Sequence, residues 1–188
     1  IFLSGSPFSY TPAAGVSSFS IDRSYFSKSL HTLFYFNIFS GKAQIAKTTF
    51  DNIIGGAIQV ESDYYEKGIV IVKRFSPNII SSNTYTFEKC MFRNCYCTGE
   101  KMNGGAVCAN VAYSNNLDVD FTFKSSSFYN CRSQGGFGGA FFGYHICDVN
   151  ILETCFNACF TRKVSGSIPG VGTAVYIDHI TSTKRTKG

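Results

Sequence analysis

One unit recurs along this chain in an unchanging order. That recurrence constrains the fold more than any other feature, because repeats that contact only their neighbours build an array rather than an ordinary globule. The best copy is Phe87-Glu88-Lys89-Cys90-Met91-Phe92-Arg93-Asn94-Cys95, and the next is Phe123-Lys124-Ser125-Ser126-Ser127-Phe128-Tyr129-Asn130-Cys131. Weaker copies read Ile45-x-x-Thr48-x-Phe50-x-Asn52-Ile53 and Ile151-x-x-Thr154-x-Phe156-x-Ala158-Cys159, with a worn first copy at Ile21-x-x-Ser24-x-Phe26. A second motif follows each of the later four copies: Gly55-Gly56-Ala57-Ile58, Gly104-Gly105-Ala106-Val107, Gly138-Gly139-Ala140-Phe141 and the drifted Gly172-Thr173-Ala174-Val175. The phenylalanines at 26, 50, 92, 128 and 156 are separated by 24, 42, 36 and 28 residues, so the cassette is constant while the connecting stretch varies. The excess over roughly 20 to 25 residues per turn of such an array is expected to loop outward, chiefly within 61–82, 96–103, 111–117 and 161–170.

The residue types suit an all-β, coil-by-coil parallel β-helix of about five coils with long outward loops. Cys90 and Phe92 lie two apart and share one side of a strand, whereas Phe87, at an odd separation, marks a bend or bulge before it. Strands of neighbouring coils lie ~4.8 Å apart, so like residues form ladders: Phe50, Phe92, Phe128 and Phe156 through a narrow core, and the amides of Asn94 and Asn130 at the following turn. Asn also tolerates left-handed backbone. The pairs Gly55-Gly56, Gly104-Gly105 and Gly138-Gly139 supply a sharp corner with close approach, after which Ala and an apolar residue begin the next sheet. The 19 Phe, 11 Tyr and 18 Gly point to strands and tight turns, and no convincing amphipathic helical period is present. The run Gly68-Ile69-Val70-Ile71-Val72 reads as a buried strand and Leu117 to Phe123 as a half-buried one. We expect a lead-in segment over 1–20, the repeat domain over 21–180 and a basic tail over 181–188.

The paired Phe-x-Asn-Cys and Gly-Gly-Ala-apolar cassettes resemble the repeats of the polymorphic outer membrane protein family, over roughly residues 21–180. Asn94 and Asn130 stand two after Phe, and Cys95 and Cys131 stand where the bacterial pattern has its Asn, so the Cys-bearing form is closer to the protist surface-protein versions. The resemblance implies a right-handed parallel β-helix at the cell surface or outside the cell, often used for adhesion. No autotransporter barrel is visible.

The eight cysteines are 90, 95, 97, 108, 131, 147, 155 and 159, and Cys95, Cys131 and Cys159 occupy one repeat position. Equivalent positions on adjacent coils have parallel Cβ vectors, which is poor disulfide geometry. Buried thiols are therefore expected ahead of disulfides, and metal last, since Cys95-Tyr96-Cys97 lacks zinc-knuckle spacing. Disulfides remain the alternative, as an even count in a surface protein suggests.

The net charge is +5, but basic residues are scattered apart from Lys184-Arg185-Thr186-Lys187, which argues against a nucleic-acid face. The longest apolar run, around Leu33 to Phe39, is too short to span a membrane. No catalytic, cofactor or metal residues are assigned. Asp118 and Asp120 share a strand face that reads as solvated, and His145 with Cys147 lacks an orienting group and an oxyanion site. The expected function is a non-catalytic scaffold for host-cell or extracellular protein or glycan contact, with Tyr64, Tyr65, Tyr113 and Tyr144 as candidate contacts. The alternative is a carbohydrate-active enzyme of pectin-lyase-like fold, or an inactive glycan-binding relative, whose signature would be convergent carboxylates on one exposed wall.

Overall fold

A computed structural model describes residues 8–10, 17–30, 32–37, 41–61, 81–110, 117–146, 148–162 and 174–179. Among them the chain is strand and turn. It enters through β1 (Phe8–Tyr10), β2 (Ser17–Asp22) and β3 (Tyr25–Ser27), continues with β4 (Phe34–Asn37), β5 (Gly41–Ala46) and β6 (Thr49–Ile54), and then with β7 (Ile58–Glu61), β8 (Ser81–Glu88) and β9 (Met91–Met102). Next come β10 (Val107–Asn110), β11 (Leu117–Lys124), and a third element split into β12 (Ser127–Tyr129) and β13 (Arg132–Gly135). The last round is β14 (Phe141–Ile146), β15 (Asp148–Leu152), β16 (Cys155–Asn157) and β17 (Phe160–Arg162), with β18 (Val175–His179) beyond it. The chain visits three sheets in the same order each time. The first sheet runs β1-β4-β7-β10-β14-β18 and the second β2-β5-β8-β11-β15, while the third stacks β3, β6, β9, then β12 with β13, then β16 with β17. All the pairings are parallel.

The register puts each cassette position beside its equivalent: Phe26, Phe50, Phe92, Phe128 and Phe156 form one column of the third sheet. Their rings stack at 5.5, 4.8, 4.6 and 4.8 Å between centroids, nearly parallel throughout. A second pair of columns lines the second sheet, with Tyr85 on Phe121 at 4.9 Å and Phe87 on Phe123 at 5.0 Å. The inner residues of the first sheet, Phe34, Ile58, Val107 and Phe141, complete a single core.

Two corners flank the phenylalanine column, and both use left-handed backbone. Between the second and third sheets it falls on Arg23, Lys47, Lys89, Ser125 and Glu153; after the phenylalanine it falls on Lys28, Asn52, Asn94, Asn130 and Ala158. Left-handed backbone costs an ordinary L-residue roughly 1–2 kcal/mol, and the ladder offsets this by carrying on through the corner. The amides of Arg23, Lys47, Lys89 and Ser125 donate to Ala46, Glu88, Lys124 and Leu152 of the following repeat at 2.8–3.1 Å. Asn fills three of the five positions at the second corner because it accepts this conformation most readily. Cys90 and its equivalents Ser24, Thr48, Ser126 and Thr154 each donate to the carbonyl two residues earlier, at 2.8–3.5 Å.

The Gly-Gly motif works by two different means. Gly104 and Gly138 take φ of +62°, whereas a Cβ on Gly105 would overlap the backbone of Gly139 and Arg132, and one on Gly139 would overlap that of Phe160. The following alanines, Ala57, Ala106, Ala140 and Ala174, bond from repeat to repeat through their backbones at 2.8–3.0 Å.

The stretch 96–103, expected to loop outward, differs from that expectation. It belongs mostly to β9, and the excess is absorbed as an irregularity: Cys97 pairs with Ser133 and Met102 with Gly135, so four residues of β9 stand against the single Gln134. Residues 62–80, 111–116 and 163–173 lie outside the described set, as does the strand read from Gly68 to Val72.

Phe92 and Phe128 are fully buried whereas Met91 is 43 % exposed beside them. Phe92→Ala and Phe128→Ala should each cost about 3–5 kcal/mol of unfolding free energy, and Met91→Ala within about 0.5 kcal/mol of nothing. Urea denaturation of the three variants checks this, and equal losses at all three positions would contradict the column.

Candidate functional site

With the inward positions spent on columns, chemistry is left to the outer walls. The register of the first sheet aligns the residues that follow the apolar member of each Gly-Gly-Ala motif, Gln59, Cys108, Phe142 and Tyr176, of which Cys108 and Phe142 lie outside the core cluster. Two residues on, Glu61, Asn110, Tyr144 and Asp178 form a second row. The later repeats carry rings here. Phe142 stacks on Tyr176 at 5.4 Å and on Tyr144 at 6.2 Å, both nearly parallel. Phe137 joins from the turn before β14, 4.9 Å from Tyr176 and 6.3 Å from Phe142.

The turn is pinned in place. The Phe137 amide donates to Asn103 Oδ1 at 2.8 Å, and its carbonyl accepts from the Gly104 amide at 3.0 Å and from Ser133 Oγ at 3.5 Å. Phe142 is nearly buried at 4 % exposure, while Phe137, Tyr144 and Tyr176 are half-buried. This is a fixed aromatic surface with two phenolic groups. Such rings offer large contact area together with a polar end, the combination that suits recognition surfaces. Of the four tyrosines expected to make contacts, Tyr144 lies here, and Tyr64, Tyr65 and Tyr113 lie outside the described residues. Sequence reasoning missed Phe137, Phe142 and Tyr176. The doubled Phe141-Phe142 was the available signal, since one member of such a pair must face out of a sheet.

A polar ladder runs along the third sheet. Arg93 meets Asp51 in a two-pronged contact of 3.0 and 2.7 Å, and Tyr25 Oη donates to the same carboxylate at 3.1 Å. Asn94 Nδ2 donates to Asp51 Oδ1 at 3.3 Å and Asn130 Nδ2 to Asn94 Oδ1 at 2.6 Å, so the two amides do lie in one chain of bonds. Arg132 donates to Asn130 Oδ1 at 2.9 and 2.6 Å. Its guanidinium lies between the rings of Tyr96 and Phe160, 5.2 and 5.0 Å from their centres. The donors around Asp51, Arg93 first, hold its carboxyl below the ordinary carboxylate range. These groups satisfy one another and fasten one repeat to the next.

The seven described cysteines are free thiols, all buried except Cys155, and Cys147 lies outside the described residues. Cys95, Cys131 and Cys159 form a column whose sulfurs lie 3.5–3.7 Å from the carbonyls of Phe50, Phe92 and Phe128 in the preceding repeat. Burial pushes the Cys90 thiol up to about 11 and Cys131 well above its usual range. Cys159 is also raised, chiefly by its bond with Cys131 and then by burial. Among the described residues no three His, Cys, Asp or Glu side chains gather where they could hold a metal. The side chains of Asp118 and His145 are not described; Asp120, on the outer face of β11, stands half-buried opposite Asp148 of β15 and Thr84 of β8. No helix among the described residues is long and apolar enough to cross a membrane.

No family model, curated protein or solved structure matches this chain.

Two outcomes follow from this chemistry. Because the thiolate is the nucleophile, maleimide at neutral pH should label Cys155 well before Cys90, Cys95, Cys131 or Cys159, as peptide mass spectrometry would show; rapid labelling of Cys131 in the folded protein would contradict the buried column. The lowered pKa of Asp51 makes its contribution to stability fully present above the unfolded carboxylate value of about 3.9. That contribution is lost as pH falls through the lower folded value. The stability gap between wild type and Asp51→Asn, measured by urea titration, should therefore be constant at neutral pH and close on acidification, and a gap independent of pH would exclude this role.

Proposed function

We propose that the three sheets are the walls of a right-handed parallel β-helix of about five coils, and that the chain is a non-catalytic adhesive scaffold of the polymorphic outer membrane protein type, placed at the cell surface or outside the cell. The supporting observation is the cyclic order of the sheets with like-on-like columns between them. Such a core commits its inward side chains to rigidity and leaves recognition to the walls and insertions. The partner contact falls on the aromatic wall of Phe137, Phe142, Tyr144 and Tyr176, whose rings suit the apolar faces of sugars or the side chains of an extracellular protein. No nucleic-acid partner is proposed, because the basic residues are scattered along the sequence apart from Lys184-Arg185-Thr186-Lys187.

One observation favours the carbohydrate-active reading instead, namely the register that sets Asp120 beside Asp148. Adjacent strands lie ~4.8 Å apart, close to the carboxyl separation of about 5–5.5 Å in retaining glycosidases. The adhesive reading is preferred because it uses four clustered rings, one of them carried on a turn fixed by hydrogen bonds.

The test is binding of the purified chain to a glycan array and to intact host cells, alongside a polysaccharide-cleavage screen. The double variant Tyr144→Ala, Tyr176→Ala should keep its β-type circular dichroism and bind about tenfold or more weakly, as for loss of a central aromatic contact. Unchanged binding would remove the contact from this wall. Cleavage that disappears in Asp120→Asn would replace the scaffold with an enzyme.

A further inference from the structure

The outer face of the third sheet carries two cations that no described carboxylate neutralises. Arg132 opens β13 in the row Ile54, Tyr96, Arg132, Phe160, and Arg162 lies two residues beyond Phe160, opposite Gln134. Arg132 and Gln134 alternate with the buried Ser133, and Phe160 and Arg162 are exposed, so the four share the outward face. From the strand spacing and the rise per residue, the Cα atoms of the two arginines stand roughly 8 Å apart on the diagonal. Among the described residues no carboxylate lies within ion-pair distance of either, whereas Arg93, before the corner, is paired with Asp51.

Arg132 is held in one orientation. Its Nε and Nη2 both donate to Asn130 Oδ1, at 2.9 and 2.6 Å, and Asn130 is itself fixed by donating to Asn94 Oδ1 at 2.6 Å and to Tyr96 Oη at 3.2 Å. The rings of Tyr96 and Phe160, from the preceding and following repeats, flank the guanidinium at 5.2 and 5.0 Å. One edge of the guanidinium is thus spent on an uncharged amide. Both Nη1 protons and one on Nη2 are left, the fork that takes a carboxylate in a two-pronged contact. Because the fork is already positioned, little side-chain freedom remains to be lost when an anion binds.

The surroundings indicate what would bring the carboxylate. Met91, Tyr129 and Phe160 are exposed on this sheet at 43, 49 and 37 %. Among the described residues its outward rows hold three arginines and no lysine. Aromatic residues, Met and Arg in excess with Lys depleted is the composition of surfaces that bind other proteins. We propose that this face docks a protein partner through an aspartate or glutamate side chain seated on Arg132, with Arg162 engaging a second carboxylate beside it. The inference rests on the reading of the chain as a binding scaffold, and gives it a second face and a class of partner.

The experiment is fluorescence anisotropy of a short labelled oligoglutamate peptide, with the matched oligoglutamine as neutral control, titrated with the purified 188-residue chain at physiological salt. Oligoglutamate should bind and oligoglutamine should not. Arg132→Gln should weaken binding about tenfold, as for loss of a charge-assisted hydrogen bond, and Arg132→Lys should not restore it, since an ammonium lacks the planar fork. Arg162→Gln should weaken it severalfold. Lys89→Gln removes an exposed cation at the other corner and should leave binding unchanged. No binding by the wild type, or a loss in Lys89→Gln equal to that in Arg132→Gln, would overturn the proposal. Circular dichroism identifies an Arg132 variant that fails to fold; the exposed Arg162 then decides, and an Arg162→Gln chain that binds like the wild type would overturn the two-arginine site. Heparin binding that depends on Arg132 in a chain indifferent to oligoglutamate would replace the protein partner with an acidic glycan. Intact host cells separate this inference from the adhesive role: oligoglutamate binding by a chain that binds no cells upholds the site and removes the role. Cell binding unaffected by Arg132→Gln and Arg162→Gln together upholds the role and removes the site.

Discussion

Parallel, in-register pairing between repeats is the constraint on which the rest depends. It sets equivalent residues one strand spacing apart, ~4.8 Å, and so asks of each side chain how well it packs against a copy of itself. Flat rings answer well, as the phenylalanine column with its spacings of 4.6–5.5 Å shows. Amides answer by bonding along the column, from Asn130 to Asn94. A carboxylate has no such bond to offer a copy of itself: in the third sheet Asp51 is followed in its column by Arg93, whereas Asp120 and Asp148 stand side by side only on the outer face of the second sheet. Like charges opposite one another destabilise a sheet, so substitution in one repeat is conditioned by the residues above and below it.

The same logic explains how cysteine enters this core. At the position of Cys90 the other repeats carry Ser24, Thr48, Ser126 and Thr154, and each of the five makes the same bond to the carbonyl two residues earlier. The thiol here substitutes for a hydroxyl. At the other position Cys95, Cys131 and Cys159 follow Ile53, so the sulfur is read there as a small apolar group that can also donate weakly. Neither role needs a disulfide, and the seven described thiols are free.

Much of this was legible in the sequence because the cassette spells out one register. The fixed offsets of Phe50, Phe92, Phe128 and Phe156 spell out the column, and Asn94 and Asn130, which tolerate left-handed backbone, fall at the turn that follows it. Three things were harder to read. The other corner accepts Arg23, Lys47, Lys89, Ser125 and Glu153, none of which advertises a positive φ, because the strain is offset by backbone bonds that cross to the next repeat. The stretch after Cys95 is expected to loop outward because the spacing between cassettes exceeds one turn of the array there, yet β9 continues by bulging against Gln134. The aromatic wall was hard to read because the repeated motif ends at Phe141 and leaves Phe142 outside it, whereas the sheet sends the first into the core and the second outward.

The wall also shows where such an array can acquire a site without loss of fold. Column positions are coupled to two neighbours, so a new inward residue must suit both repeats at once. The alternate positions of the first sheet are freer, and along the row Gln59, Cys108, Phe142, Tyr176 the residue type changes at every step while the row of Ile58, Val107, Phe141 and Val175 stays apolar throughout. The rings collect where the adjoining turn supplies Phe137 as a fourth member, held by Asn103 and the Gly104 amide of the preceding repeat. Thus the glycine pair that lets two repeats approach closely also fixes the turn that completes the aromatic surface. A substitution that opened the corner at Gly104 or Gly105 would disturb that surface without touching any of its rings.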